Sequence, residues 1–524
     1  MENVKGYALE LIALIEEGKI KTRGQLNEAR ISLCAKHGLS SMPSNPTILS
    51  FAKRKTDKIL SLLRVKPTRT LSGIAVVAIM PKPSKCPGKC IYCPGSLVPQ
   101  KTPKSYTGKE PATMRALASN FSPKTQIKNR LKQLEEAGHN TEKVELIIMG
   151  GTFLSQPKSY QRRFMLSSLN AFTGSKSGSL KKARKNAEKS KTRIAGITFE
   201  TRPDFCGKEE INSMLEFGGT RCELGVQTIY NQVYRKINRG HGIEEVKKAT
   251  QLLKDSAFKT TYHYMPGLPT VSPAGDRKAL KQIFSNPDFM PDNLKIYPCL
   301  VIEGTKLYRM WRSKNYKPFS TKKAIKLLSE IKPSIPRWVR IMRIQRDIPS
   351  PLISAGVKKS NLRQLVQEEM KKHGKKCSCI RCREAGLFSR KEKLPNSSDA
   401  KLFVESYNAS KGKEFFISLE GKKRKTLFGF CRLRFPFKPF RKELLGETAL
   451  VRELRVFGFP MPLHKRKEEG LQHRGFGKRL LAEAENLATE FGSKNLAVIS
   501  GLGVKPYYYR LGFKEKGLYV SKKL

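Results

Sequence analysis

Between residues 73 and 300, six short apolar runs alternate with stretches of helical periodicity, and nothing else in the chain restricts its fold as strongly. The runs are 74–80, 144–149, 194–199, 221–227, 259–265 and 293–298, each followed by Gly, Pro or polar residues. Strands that alternate with helices in this way pair in parallel through right-handed crossovers. Six such units predict an α/β partial barrel, (βα)6 and TIM-like, rather than a closed eight-unit barrel. Chemistry on such a sheet is built on the loops at the C-terminal ends of the strands. Those loops hold three cysteines after the first run, Gly150 and Gly151 after the second, and Glu200 after the third. Gln227 ends the fourth, Met265-Pro-Gly-Leu-Pro269 the fifth and Tyr297-Pro298 the sixth. As a set they point to one active site.

The first loop reads Cys86-Pro-Gly-Lys-Cys90-Ile-Tyr-Cys93. Iron–sulfur clusters of the four-iron type usually take four cysteines, and no fourth lies nearby. One iron of a [4Fe-4S] cluster would then stay open to a substrate, the arrangement that S-adenosylmethionine-cleaving radical enzymes need. The alternative, a structural zinc knuckle, would show a fourth Cys or His at matching spacing. Gly150, Gly151, Glu200 and Gln227 share the rim and are the expected S-adenosylmethionine contacts. Tyr92 packs either against the adenine or against the barrel. A second group, His373, Cys377, Cys379 and Cys382, has soft and borderline ligands suited to a structural zinc. Its three thiols are the stronger part of that expectation, the imidazole facing solvent in the weaker version. A second iron–sulfur cluster is the alternative.

The chain has 524 residues, room for three or four domains, and carries 102 Lys and Arg against 44 Asp and Glu, a net charge of +58. Such an excess predicts a polyanionic partner, nucleic acid above all, and would repel a lysine-rich protein tail. Six of the 11 cysteines fall in the two clusters, which favours metal binding in a reducing compartment over disulfides. The first residues lack the basic and apolar regions of a signal peptide, and no apolar run is long enough for a membrane span. The expectation is a soluble, cytoplasmic protein with no membrane partner. Residues 1–72 read as a helical module with basic faces. The basic insert 175–193 reads equally as a solvated helix or a second nucleic-acid contact.

From about 395 the character changes again. Thr448 to Phe457 looks like a strand; Gln472-His-Arg-Gly475-Phe-Gly477-Lys478 leads into an apolar helical stripe; Leu496 to Ser500 is a second strand, and Tyr507, Tyr508 and Tyr509 follow. Glycines at a helix N-terminus let backbone N–H groups approach a pyrophosphate. The ordered set resembles the GNAT acetyltransferase fold, which binds acetyl-coenzyme A.

The cysteine loop, Ser105 to Pro111, Met149 to Phe153, Glu200 to Asp204, Asn238 to His241 and Ile344 to Pro349 together resemble the Elongator catalytic subunit family. Val451 to Leu454, Gln472 to Gly477 and Val498 to Gly501 extend the likeness over nearly the whole chain, in the archaeal or bacterial form. The resemblance implies a tRNA-binding module at 1–72, a radical S-adenosylmethionine barrel at 73–350, a zinc linker at 351–394 and an acetyltransferase domain at 395–524. It implies carboxymethyluridine synthesis at the wobble uridine of tRNA. A 5′-deoxyadenosyl radical takes hydrogen from the acetyl-coenzyme A methyl, the carbon radical adds to uracil C5, and thioester hydrolysis follows. Cys86, Cys90 and Cys93 match the cluster ligands. Lys143, otherwise a solvated lysine at a strand start, matches a residue that contacts acetyl-coenzyme A. Glu453, Leu454, Arg455, Val456, Gln472, Gly475, Phe476, Gly477, Lys478 and Tyr508 match coenzyme-binding positions, with Lys143 and Tyr508 the catalytic candidates. An electron donor is required; partner subunits are left open. The competing expectations are a protein lysine acetyltransferase using the C-terminal module alone and a non-catalytic tRNA binder.

Overall fold

A computed structural model describes residues 2–94, 102–150, 153–388, 399–457 and 475–524. The N-terminal part is helical: Glu2–Glu16, Arg23–Lys36, Asn45–Ser50 and Asp57–Leu63. Thr22, Ser44 and Thr56 cap three of these helices by accepting from backbone N–H groups, as expected of hydroxyl side chains at N-caps. Tyr7, Leu11 and Ile15, four apart on one face, meet Ile48, Ile59 and Leu63 in a core of their own. Arg64 fastens this unit to the barrel by donating to the Gly138 carbonyl at 2.9 Å.

The strands in chain order are β1 (Ala75–Ile79), β2 (Lys143–Ile148), β3 (Arg193–Thr201), β4 (Arg221–Gln227), β5 (Lys259–Tyr264) and β6 (Asn293–Ile296). Next come β7 (Val301–Ile302), β8 (Arg340–Ile344) and β9 (Ile353–Ala355). The C-terminal strands are β10 (Lys401–Ala409), β11 (Gly412–Glu420), β12 (Leu427–Phe435), β13 (Thr448–Val456), β14 (Asn495–Val498), β15 (Lys514–Lys516) and β16 (Tyr519–Lys523). β1 to β6 are the six expected strands, parallel and in sequential order, but β8 adds a seventh, parallel to β6. The six-unit count therefore falls one strand short. Arg340-Ile-Met-Arg-Ile344 carries two arginines in five residues, and its pairing with β6 slips between Ile341 and Arg343, so it reads neither as an apolar run nor as a regular alternation. β1 and β8 are not paired with each other, and the half-barrel stays open between them.

Alternation along the strands splits the sheet into two faces. Cys222, Leu224 and Val226 of β4 point outward into the apolar core beneath the helices. Arg221, Glu223, Gly225 and Gln227 point inward. On β5, Tyr262 bonds outward to Thr250 and Tyr264 to Asp276, both on flanking helices, which turns Lys259, Thr261 and His263 inward. The interior is therefore polar and unfilled, unlike the packed centre of a closed barrel.

The C-terminal strands form a second sheet of seven, in the order β10-β11-β12-β13-β14-β16-β15. β13 and β14 run parallel, and their pairing ends at Val451 opposite Val498. Beyond that point the two strands are no longer paired, and helix Phe476–Glu490 packs on β11, β12 and β13. This sheet docks on the N-terminal ends of the barrel strands through buried charges: Arg434 with Asp255, Arg452 with Asp292, and Glu414 with Lys254. The basic insert is neither free in solvent nor open to nucleic acid along its whole length. Its helix Leu180–Glu188 packs against the C-terminal domain, with Glu188 accepting from Lys505 at 3.0 Å. No helix among the described residues is long and apolar enough to cross a membrane.

Candidate active site

The C-terminal rim of the barrel encloses a cavity reached by Cys86, Cys90 and Cys93. Each sulfur accepts from an N–H group. Gly88 N–H donates to Cys86 at 3.4 Å, Ser105 N–H to Cys93 at 3.3 Å, and the Arg239 guanidinium to Cys90 at 3.4 Å. Donors aimed at all three sulfurs are the outer contacts that orient metal-ligating side chains. A Cβ on Gly88 would lie 2.0 Å from Arg202 Nη1, so only glycine lets Arg202 close on the loop. Arg202 is fixed in turn by Asp204, at 2.9 Å from its Nε, and by the Arg239 carbonyl. Among the described residues, two groups of three ligand-bearing side chains bring their donor atoms within 4.8 Å of one another, and the Cys86 triplet is not one of them. Its wider spread suits several irons better than a single ion. Three cysteine sulfurs, with no fourth cysteine beside them among the described residues, fit a [4Fe-4S] cluster carrying one open iron.

Around this loop stand polar atoms with nothing to bond. Gln227 holds φ at 70°, a left-handed conformation disfavoured for its residue type, and its buried Oε1 has no partner among the described residues. Arg202 Nη1 and the Tyr92 hydroxyl are likewise orphaned. Buried polar atoms normally find partners, so these mark places where a polar ligand belongs. Glu200 accepts from the Tyr106 hydroxyl at 3.1 Å and lies 3.5 Å from Lys295. Gly150, with φ at 104°, packs against Pro103 and shapes the rim rather than lining the cavity. Gly151 and Gln472 lie outside the described residues.

Below the rim, inward charges descend in a ladder. Glu223, without exposure, meets Lys295, His263 Nε2 at 2.8 Å and Arg221 at 3.5 Å; Arg221 reaches on to Glu145 at 2.6 Å. Burial alone would raise the Glu223 pKa, but Lys295, His263 and Arg221 outweigh it and hold the carboxyl well below its usual range. The last rungs, Arg221 and Glu145, line a second cavity together with Glu453 and Arg455 of β13. The inward charges of the barrel thus lead from the cavity at the cysteine loop to a second cavity at β13.

The coenzyme candidates gather on the other domain. Glu453, Leu454, Arg455 and Val456 follow the point where β13 leaves β14. Gly475, with φ at 75°, caps the helix whose first turn is Phe476, Gly477 and Lys478. A Cβ on Gly477 would fall 2.7 Å from the Tyr507 hydroxyl, so the helix start and the tyrosine segment close only around glycine. Tyr508 is buried against Tyr507 and Phe513; burial, then Cys431, pushes its hydroxyl pKa up, which keeps it a proton donor. Lys143 is the first residue of β2, at the barrel end away from the cysteines, and pairs in register with Arg193. Gly503 of the C-terminal domain packs on Arg193, so Lys143 stands on the coenzyme side. Burial, then Arg193, lowers its pKa.

In the linker, the sulfurs of Cys377, Cys379 and Cys382 come within 4.8 Å of one another and fit a single tetrahedral ion. His373 is not brought to them. It ends helix Leu362–Lys372 and bonds Glu369 at 3.2 Å from an exposed position. The sequence reading missed Arg239, Glu223, His263 and Lys295. A signal existed: Arg221, Glu223, His263 and Lys295 are charged or ionisable residues at alternate positions of strands whose other face is apolar.

Residues 7–71 match the ELP3 N-terminal domain, 80–282 the Radical SAM superfamily and 291–372 the Radical SAM C-terminal domain. The chain is 52% identical over 489 residues, covering 92% of each protein, to the tRNA uridine(34) acetyltransferase of Methanocaldococcus infernus. It is 42% identical over 527 residues to Elongator complex protein 3 of Schizosaccharomyces pombe, covering 98% of this chain and 96% of the relative. Among solved structures, the archaeal Methanocaldococcus infernus Elp3 lacking residues 1–46 superposes with a TM-score of 0.77 at 47% identity, covering 86% of this chain and all of that one (100%).

Proposed function

The chain belongs to the Elongator complex protein 3 family, and on that premise we propose that it modifies the wobble uridine of tRNA, using S-adenosylmethionine and acetyl-coenzyme A. Cys86, Cys90 and Cys93 would hold a [4Fe-4S] cluster, which when bound supplies the electron that cleaves S-adenosylmethionine to a 5′-deoxyadenosyl radical. Gln227 and Glu200 would contact that co-substrate, with Gly150 shaping the rim beside it and Gly151 next in the same loop. Glu453 to Val456, Gly475 to Lys478, Gln472 and Tyr508 would hold acetyl-coenzyme A, with Lys143 beside its acyl end. Hydrogen would pass from the acetyl methyl to the adenosyl carbon and the carbon radical would add to uracil C5; the adduct would then give up one electron, for which the oxidised cluster is the acceptor, and its C5 proton, and thioester hydrolysis would leave carboxymethyluridine.

The observation that carries this reading is a line of inward polar side chains between two cavities, one at the three sulfurs and reaching Glu223, the other lined by Arg221, Glu453 and Arg455. That line would be the interior route by which a coenzyme held by one domain meets a radical generated in the other. The excess of basic residues suits an RNA partner whose phosphates supply affinity, and the target base must be unstacked to enter a cavity this deep. A lysine acetyltransferase acting through the C-terminal domain alone would need neither the interior route nor the buried charges that bind that domain to the barrel. Zinc on Cys377, Cys379 and Cys382 would brace the linker between them.

The test is anaerobic incubation of cluster-reconstituted protein with S-adenosylmethionine, acetyl-coenzyme A, dithionite and tRNA, followed by nucleoside mass analysis. Carboxymethyluridine is expected. Acetyl-lysine formed at full rate without tRNA, and no modified uridine, would contradict the reading.

A further inference from the structure

Thioester hydrolysis needs a base, and the cavity beneath the cysteines holds few groups able to act as one. Lys295 is paired to Glu223 and Glu200; burial opposes its charge, but Glu223, Tyr297 and Glu200 raise its pKa, so it stays an ammonium. Glu223 is fully buried, held ionised by its cationic neighbours, and a weak base. Glu200 already accepts from Tyr106 and faces Lys295. Glu110 is taken up by the Thr107 and Gly108 N–H groups, and Asp347 is paired to Arg343 at 2.6 Å. His263 differs from all five. It lines the cavity from β5, edge-on to Tyr297 with ring centroids 5.4 Å apart. Its Nε2 is 2.8 Å from the Glu223 carboxylate, so Nε2 carries the proton and donates it to Glu223. The lone pair of Nδ1 is then free to accept, and Nδ1 makes no hydrogen bond among the described residues. A carboxylate behind an imidazole is the arrangement that orients a histidine base.

The donor atoms of Glu200, Glu223 and His263 also come within 4.8 Å of one another, as in a metal site. Lys295 already places its ammonium against both carboxylates, which leaves no room for a second cation.

We infer that His263 is the general base that hydrolyses the coenzyme A thioester after the acetyl carbon has joined the uridine, with Glu223 as its positioning residue. The inference rests on the proposed function, because the acyl carbons must lie in this cavity to meet the adenosyl radical. Nδ1 takes a proton from water as the oxygen attacks the thioester carbonyl. The C–O bond forms and the C–S bond breaks. Coenzyme A departs as thiolate and recovers a proton, and the product is the carboxylate. Water is the co-reactant; nothing is oxidised or reduced in this step.

The experiment compares wild type with His263→Gln and His263→Ala in the full, cluster-loaded chain, supplied with tRNA, S-adenosylmethionine, dithionite and acetyl-coenzyme A. Three products are followed: 5′-deoxyadenosine, free coenzyme A, and the mass of the modified nucleoside. In both variants 5′-deoxyadenosine should stay within about twofold of wild type. Free coenzyme A should fall by at least about 100-fold, the span general bases supply. The tRNA should accumulate a uridine still bearing coenzyme A through its thioester. Added imidazole should restore coenzyme A release in His263→Ala without changing 5′-deoxyadenosine, which a purely structural histidine would not do. The inference is overturned if the variants release coenzyme A at the wild-type rate, or if 5′-deoxyadenosine falls in step with it and imidazole restores neither. A wild-type protein that makes no modified uridine fails the proposed function itself, which separates the two outcomes.

Discussion

Arg452, on β13, donates through Nη1 to Asp292 Oδ2 at 3.0 Å, and neither side chain touches solvent. Asp292 immediately precedes β6, so this contact joins the two sheets. Lys254 and Arg432 also approach Asp292, at 3.8 and 3.6 Å. Breaking a buried pair costs about 3–5 kcal/mol because one charge is left uncompensated. Arg452→Met should cost about 3 kcal/mol, the lower end, since two cations remain beside Asp292. Denaturant unfolding checks this; unchanged unfolding would mean that the interface charges do not hold the domains together.

Gly88→Ala should empty the cysteine loop. Its Cβ would land on the Arg202 guanidinium, at 2.0 Å from Nη1, and Arg202 is pinned by Asp204 and the Arg239 carbonyl. Either the loop or the arginine must move. Iron content after anaerobic reconstitution should drop several-fold while the helical circular dichroism is retained. Full iron loading would contradict the packing described for this loop.

Arg239→Met removes the cation that donates to Cys90. A positive charge beside a cluster stabilises its reduced form, so its loss should shift the reduction potential to more negative values. Electron paramagnetic resonance during a redox titration reads that shift directly. A potential unmoved by the substitution would show that Arg239 does not act on the cluster.

Asp276 gives the fold a pH dependence. Burial pushes its pKa up from 3.8 to about 7, despite donors from the Tyr264 hydroxyl and the Gly267 backbone. A carboxyl whose folded pKa exceeds its unfolded value binds more protons when folded. Its contribution is therefore complete below about pH 4 and is lost as pH rises through about 7. The stability of the wild type relative to Asp276→Asn should fall across that interval, by at most on the order of 4 kcal/mol. A constant difference from pH 4 to 8 would contradict the assignment. The loop after β5 hangs on this contact, so the rim should loosen over the same range.

Cys379→Ser should remove zinc. With Cys377 and Cys382 its sulfur completes a three-thiol set, and His373 is turned toward Glu369 instead. Elemental analysis should find about one zinc per wild-type chain and none in the variant, whereas His373→Ala should keep its metal. Zinc lost from His373→Ala would restore the imidazole as a ligand.

Six strands were readable because their outer faces are apolar and their turns are marked by Gly, Pro and polar residues. β8 was not, since it carries two arginines in five residues and its pairing with β6 slips between Ile341 and Arg343, which breaks the period-two pattern. The three cysteines were legible as one ligand loop from their spacing, their place after the first strand and the lack of a fourth, and the structure brings all three to the rim cavity. Arg239 did not, because a single arginine in Asn238-Arg-Gly-His241 is indistinguishable from a surface cation until the fold brings it across to Cys90. His263 and Glu223 stand at inward positions that strand alternation marks, but they lie on different strands, 40 positions apart in sequence, and become a pair only through the register of β4 with β5. Helix 180–188 reads as basic and solvated until Ala183, Ala187 and Glu188 are seen buried against the C-terminal domain. Long-range pairing is the information that local pattern lacks.

The central claim is that a hydrogen atom crosses from the acyl group held by one domain to the nucleoside radical formed in the other. Acetyl-coenzyme A carrying a trideuterated methyl group, supplied with tRNA under anaerobic reducing conditions, tests this most directly. The account predicts 5′-deoxyadenosine one mass unit heavier, in step with the modified uridine. Unlabelled 5′-deoxyadenosine alongside modified uridine would contradict it.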